Sequence, residues 1–237
     1  MSALLEVTGV GKRYGGIAAI DGVSFSVGER ELACVIGPNG AGKSSLLNVM
    51  SGTLRPDSGD VRFDGRSMLG RSAHLFAKHG IVRKFQGANV FPWMTVVDSL
   101  EMAGLAVAMA SGRAPPPVAE ILSTIKLGHQ AERLGSMCSH GQRQWLEIGM
   151  TLMCRPRVLL LDEPTAGMTA VGTVDMAELV LQLAGEMSVV VIEHDMSFVR
   201  RLGCRTIVMH QGRLIADGSF ESVSQDERVR DAYLGRA

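Results

Sequence analysis

Three stretches of this sequence carry residue types that do chemistry. "MCSHGQRQW", residues 137–145, sets Cys138, Ser139 and His140 side by side. These are side chains that nucleophilic catalysis uses. "GPNGAGKSS", residues 37–45, matches G-x-x-x-x-G-K-[ST], with Gly37, Gly42, Lys43 and Ser44 in the fixed places. Pro38, Asn39, Gly40 and Ala41 fill that loop, and Ser45 follows it. Such a loop closes backbone N–H groups around phosphate oxygens, and a helix N-terminus behind it adds partial positive charge. Lys43 is then placed for β- and γ-phosphates, and the Ser44 hydroxyl for Mg²⁺. "VLLLDEP", residues 158–164, ends an apolar run in two carboxylates. Asp162 is the expected Mg²⁺ partner through water, and Glu163 can orient or deprotonate an attacking water. Taken alone, this pair reads equally as solvated acids at a strand end. Beside a phosphate loop it reads as half of a phosphoryl-transfer site.

The elements that must position these groups are visible in the apolar patterning. "LACVIG" (32–37), "VLLLDEP" and "VVVIEHD" (189–195) are apolar on both faces, which suits strands of a parallel sheet covered by helices. Helical patterns follow two of them, "GKSSLLNVMSG" and "TVDMAELVLQLAGE". Strand–helix alternation of this kind predicts an α/β domain. Between about 87 and 150 the strand signal disappears, and a helical pattern broken by "SGRAPPPV" takes its place. This reads as a helical insertion within one domain spanning 1–237. "RTIVMHQGRLIADGS" predicts a hairpin turning at Gln211–Gly212, and Ser219 an N-cap for a last helix.

With these motifs in order, the chain resembles the ATP-binding subunits of ABC transporters over nearly its whole length. The resemblance implies a P-loop NTPase core with a mostly parallel sheet, an N-terminal antiparallel β subdomain and an inserted α-helical subdomain. Tyr14 in "GKRYGG" matches the aromatic that stacks on adenine. Gln86 in "VRKFQG" matches the glutamine that senses Mg²⁺ and the attacking water. "CSHGQ" sits where the LSGGQ signature belongs, which makes Ser139, Gly141 and Gln142 contacts to the ATP of a neighbouring subunit. "AGMT" (166–169) takes the D-loop position, and His194 in "VIEHD" matches the switch histidine on the γ-phosphate. Each of these has an ordinary structural reading on its own; their joint register with the phosphate loop selects the functional one. Cys138 replaces the usual leucine, His140 a glycine, and Thr169 an aspartate or asparagine.

Implied with the family are ATP and Mg²⁺, permease subunits, a second ATPase subunit (a copy or a paralogue) and, indirectly, a solute-binding protein. "SHGQRQWLEIGM", "EPTAGMT", "VIEHDMSFVR" and "AYLGR" are similar to the urea and short-chain amide importers, with the branched-chain amino acid importers as the alternative. A non-transport ABC ATPase would carry a long coiled-coil insertion or tandem cassettes. A small-molecule kinase would leave "SHGQ" and "VIEHD" unexplained.

Bulk properties agree. Hydrophobic residues are 46% and charged residues 20% of 237, a globular composition. Formal net charge is zero, which gives no electrostatic case for nucleic acid as a partner. Cys34, Cys138, Cys154 and Cys204 show no zinc spacing and read as buried free thiols. The start lacks a basic segment followed by an apolar run, and "TVVDSLEMAGLAVAMA" carries Asp98 and Glu101 and is too short to span a bilayer. The expected location is cytoplasmic, peripheral on the inner face of the membrane. "GANVFPWMTV" is expected to expose Val90, Phe91, Trp93 and Met94 at a groove for a permease helix, the alternative being the core-facing start of the next helix.

Overall fold

The computed structural model describes residues 3–84 and 90–234. β1 (Ala3–Tyr14) and β2 (Ile17–Gly28) form a long hairpin, and β3 (Leu32–Ile36) leads through the glycine loop into α1 (Lys43–Met50). β4 (Ser58–Phe63), β5 (Arg66–Ser67), α2 (Ala73–His79) and β6 (Ile81–Arg83) come next. The helices α3 (Val96–Ser111), α4 (Val118–Thr124) and α5 (His140–Leu152) then follow with no intervening strand among the described residues. After them come β7 (Val158–Asp162), α6 (Ala170–Ala184), β8 (Ser188–Ile192), α7 (Met196–Leu202), β9 (Arg205–His210) and β10 (Arg213–Ser219). Two helices follow, α8 (Phe220–Gln225) and α9 (Glu227–Leu234).

An antiparallel sheet runs β2-β1-β4-β5, and a six-stranded sheet runs β10-β9-β3-β8-β7-β6. In the second, every pairing is parallel except β9 with β10. The apolar runs are buried on both faces, as their composition predicts. Val35, Leu160, Val190 and Ile192 pack toward α1 and the antiparallel sheet. Leu159, Leu161, Val189 and Val191, one residue out of step, pack toward the helices on the opposite face. Each such side chain contributes about 2 kcal/mol by leaving water.

Local signals place the ends of the elements. Gln211 and Gly212 both have positive φ, 47° and 78°, the left-handed pair that a two-residue hairpin needs. That turn also braces the phosphate loop: Gly212 N–H donates to the Ala41 carbonyl at 3.0 Å, and its own carbonyl accepts from Asp21 N–H at 2.8 Å. Ser219 caps α8 by accepting from Ser222 N–H. Thr95 caps α3 in a reciprocal pair with Asp98. The helical segment is pinned to the sheet by Lys84, just past β6, and Glu147 on α5, which pair at 2.9 Å with side chains 3% and 7% exposed.

One sequence expectation is corrected here. Val90 is buried at 7% exposure rather than exposed; a Cβ on Gly135 would stand 2.6 Å from it, so the turn before α5 closes over it. Phe91 and Trp93 do face outward, at 40% and 74% exposure, while Met94 is half-buried. An apolar cleft of about 400 Å³ lies elsewhere, between α2 and β6 on one side and α3 and α5 on the other. Ala103, Ala106, Val107 and Met150 line it. Cys34 and Cys138 are buried as expected, whereas Cys154 and Cys204 are only half-buried; all four are free.

Candidate active site

Three neighbouring parallel strands, β3, β8 and β7, end at the same sheet edge. Crevices outside the carboxyl ends of such strands are where α/β sheets bind ligands. The glycine loop follows β3, His194 follows β8, and Asp162 and Glu163 close β7.

The loop is shaped by close backbone packing. A Cβ on Gly37 would stand 2.2 Å from the Met209 carbonyl oxygen, and one on Gly42 2.2 Å from that of Ala19, so neither position admits a side chain. Gly42 is the N-cap of α1, at φ 101°, with no side-chain cap. The first-turn N–H groups behind Lys43, Ser44 and Ser45 therefore have no capping partner from the N-cap side chain, which suits an anion. Asn39, Gly40 and Ser44 are exposed at the mouth; Pro38 and Ser45 are half-buried. Lys43 is 7% exposed and turns back on the loop, donating to the Gly37 carbonyl at 2.7 Å and the Pro38 carbonyl at 3.0 Å. Burial pushes its ammonium below the usual lysine range, and the charges of Glu163 and Asp162 work against that shift.

The carboxylate pair occupies two environments. Asp162 is 2% exposed; its Oδ2 accepts from Arg83 on β6 at 2.9 Å, and its Oδ1 is buried without a partner. Arg83 also donates to Asn48 on α1 and so ties together β6, β7 and the helix behind the loop. Glu163 is partly open, with its side chain 31% exposed, and lies 3.4 Å from His194 Nδ1. Its φ is 44°, a left-handed value that costs a non-glycine residue about 1 kcal/mol or more. The turn is held from behind by Glu193, a fully buried carboxylate. Glu193 accepts from Thr165 N–H at 3.1 Å, Thr165 O–H at 2.6 Å, His194 N–H at 3.0 Å and Asp195 N–H at 3.3 Å. Strain at Glu163 persists because its neighbours on both flanking segments are fixed to this one group.

The remaining predicted positions are distributed as follows. Tyr14 is 52% exposed at the tip of the β1–β2 hairpin, opposite Ile17, and β2 carries the Ala19 carbonyl that packs on Gly42. Gln86 lies outside the described residues. Ser139 caps α5: its hydroxyl oxygen accepts from Gln142 N–H, and Gln142 Oε1 accepts from Ser139 N–H at 2.8 Å. A Cβ on Gly141 would meet nothing within 4 Å, so this helix start has an open face. The adjoining cavity of about 580 Å³ is lined by Ser139, Gly141, Gln142, Trp145, Thr169 and others, and by no residue of the phosphate loop. Cys138 is 3% exposed, and burial pushes its thiol above the usual range, so it is a packing residue rather than a nucleophile. Thr169 caps α6 by accepting from Gly172 N–H. Among the described residues no group of three or more His, Cys, Asp or Glu side chains is arranged to hold a metal.

Arg83 and Glu193 are functional candidates that sequence reasoning passes over. Arg83 precedes the predicted insertion as an ordinary basic residue, and its partner is far along the chain. Glu193 carried a signal: a carboxylate inside "VVVIEHD" must find donors to be buried.

The arrangement can hold a polyphosphate against a cation and the first turn of a helix, with a strained carboxylate and a histidine facing it. Comparison with known proteins agrees. Residues 20–166 match the ABC transporter family model, and residues 213–237 the branched-chain amino acid ATP-binding cassette transporter model. The high-affinity branched-chain amino acid transport ATP-binding protein BraF of Pseudomonas aeruginosa is 36% identical over 99% of this chain and 98% of its own length. LivG of Escherichia coli, described in the same words, is 32% identical over the same shares. The crystal structure of the ADP conformation of an ATP-binding cassette of an ABC transporter superposes with a TM-score of 0.88 at 31% identity, covering 99% of this chain and 100% of that one. This chain belongs to the ABC transporter family, as one of its ATP-binding, ATP-hydrolysing subunits.

Proposed function

We propose that this subunit hydrolyses ATP to drive a membrane importer, with the phosphate loop of one subunit closed by the signature segment of another. The observation that carries this reading is the separation, on one chain, of the phosphate loop from the open start of α5. Lys43 of the phosphate loop feels the charges of Asp162 and Glu163, and His194 lies 3.4 Å from Glu163, while Ser139 and Gly141 open into a cavity lined by no residue of that loop. Head-to-tail pairing accounts for a signature segment that lines a cavity apart from its own phosphate loop.

In this reading Lys43 and the amides of α1 hold the β- and γ-phosphates, Tyr14 stacks on adenine, and His194 contacts the γ-phosphate. Glu163 takes the proton of the attacking water. Ser44 and Asp162 hold Mg²⁺, with Gln86 as a further ligand; the unpartnered Asp162 Oδ1 fits that role directly or through water. The ion would neutralise charge on the phosphate oxygens.

The apolar cleft between α2, β6, α3 and α5 suits a permease helix, and α3 presents Met102, Leu105 and Met109 outward beside it, at 47%, 57% and 80% exposure. No described helix is long and apolar enough to cross a membrane, so a permease would supply the spans. The relatives support branched-chain amino acids as the cargo; urea or a short-chain amide rests on the resemblance of "SHGQRQWLEIGM", "EPTAGMT", "VIEHDMSFVR" and "AYLGR".

Ser139→Ala tests the pairing. It is expected to weaken ATP-dependent association of subunits about tenfold, by removing one hydrogen bond to a charged phosphate. Nucleotide affinity of the single chain stays at the wild-type value. Sedimentation and calorimetric titration read the two quantities separately. A matching loss of single-chain affinity would place the signature on its own nucleotide and overturn head-to-tail pairing.

A further inference from the structure

The signature segment and the turn carrying Glu163 touch through His140, one of the three residues that depart from the family pattern. His140 is the first residue of α5, next to the cap Ser139. Its Nε2 lies 2.9 Å from the Ala166 carbonyl oxygen. A carbonyl only accepts, so Nε2 carries the proton and donates. Ala166 in turn donates its N–H to the Glu163 carbonyl at 3.1 Å. The imidazole also lies flat against Gly167: a Cβ there would stand 3.1 Å from Nε2 and 3.4 Å from Cδ2. Gly167 has φ 71°, so glycine serves both the backbone turn and the approach of the ring. Gln144, one turn along α5, lies 3.3 Å from the same nitrogen and limits where the ring can go.

We infer that His140 is a positioning residue that couples the signature segment to the Glu163 turn of the same chain. This rests on the proposed role of Ser139 at a neighbour's nucleotide. A shift of the α5 start on nucleotide arrival is then delivered to the turn holding the general base by one hydrogen bond and one face-on contact. A glycine at position 140 has no side chain to make either. The chain's two nucleotide contacts thus belong to different ATP sites but move as one unit.

The test uses the purified full-length chain with His140→Gly and His140→Gln. Amide hydrogen exchange at Ala166 and Met168, whose N–H groups bond to Glu163 and Thr165, is measured without nucleotide. His140→Gly is expected to speed exchange there about fivefold, the effect of losing one partly solvated hydrogen bond. It should lower kcat by a similar factor while KM for ATP is unchanged. His140→Gln, whose amide nitrogen can donate to the same carbonyl, should restore most of both. Wild-type exchange in His140→Gly would overturn the contact. Faster exchange with unchanged kcat would overturn the coupling. Because exchange is read in the nucleotide-free chain, its outcome is separate from that of Ser139→Ala, which reports whether the signature serves a neighbour.

Discussion

Glu163→Gln is expected to abolish turnover, by roughly a thousandfold in kcat, while the chain still binds ATP. The amide has the size and shape of the carboxylate but cannot take a proton from water. Asp162 remains to balance Lys43, whose ammonium feels both acids, so the Lys43 side chain stays in place. Backbone strain at φ 44° is also retained, since glutamine has the same Cβ. The loss should therefore fall on the chemical step and not on folding or affinity, and ATP-bound subunits should accumulate as a closed pair. Phosphate release measured beside nucleotide affinity tests this. Turnover within a few-fold of wild type would remove Glu163 from the role of general base.

The second large effect is expected at Arg83, and it is one of stability. Arg83→Ala leaves the Asp162 carboxylate, 2% exposed, without its ion-pair partner, and takes a donor from Asn48. Removing one member of a buried pair costs about 3–5 kcal/mol, because the other charge stays out of water. Urea unfolding should show a lower midpoint with an unchanged slope. Arg83→Lys keeps the charge but not the fork that reaches two partners, so it should recover only part of the loss. Mg²⁺ with ATP should also recover part of it, since a cation beside Asp162 replaces the missing charge. Wild-type stability in Arg83→Ala would mean that this ion pair holds nothing together.

What was legible in the sequence follows from how each feature is encoded. The phosphate loop and the Asp162–Glu163 pair are contiguous, and they are framed by strands buried on both faces, which write themselves as unbroken apolar runs. The Gln211–Gly212 turn and the Ser219 cap are local in the same sense. Arg83, Glu193 and His140 act through partners that only the folded sheet brings near: Arg83 and Asp162 lie 79 positions apart, and His140 and Ala166 lie 26 apart. No periodicity encodes such pairs. Burial of Val90 was missed for a related reason, since its neighbour Gly135 lies on the far side of the helical segment. The residues that departed from the family pattern were visible, but what they do was not. Cys138 fills a packing position, Thr169 caps a helix, and His140 reaches the turn beyond the two acids.

The proposed function depends most directly on recognition of nucleotide through its phosphates. Calorimetric titration of the purified chain with ATP, ADP and AMP in the presence of Mg²⁺, repeated on Lys43→Ala, measures that directly. If the loop amides and Lys43 address the β- and γ-phosphates as proposed, ATP and ADP bind and AMP is at least about a hundredfold weaker. Lys43→Ala should bring ATP down toward the AMP value. Equal affinity for AMP and ATP, or unchanged ATP binding by Lys43→Ala, would contradict the account.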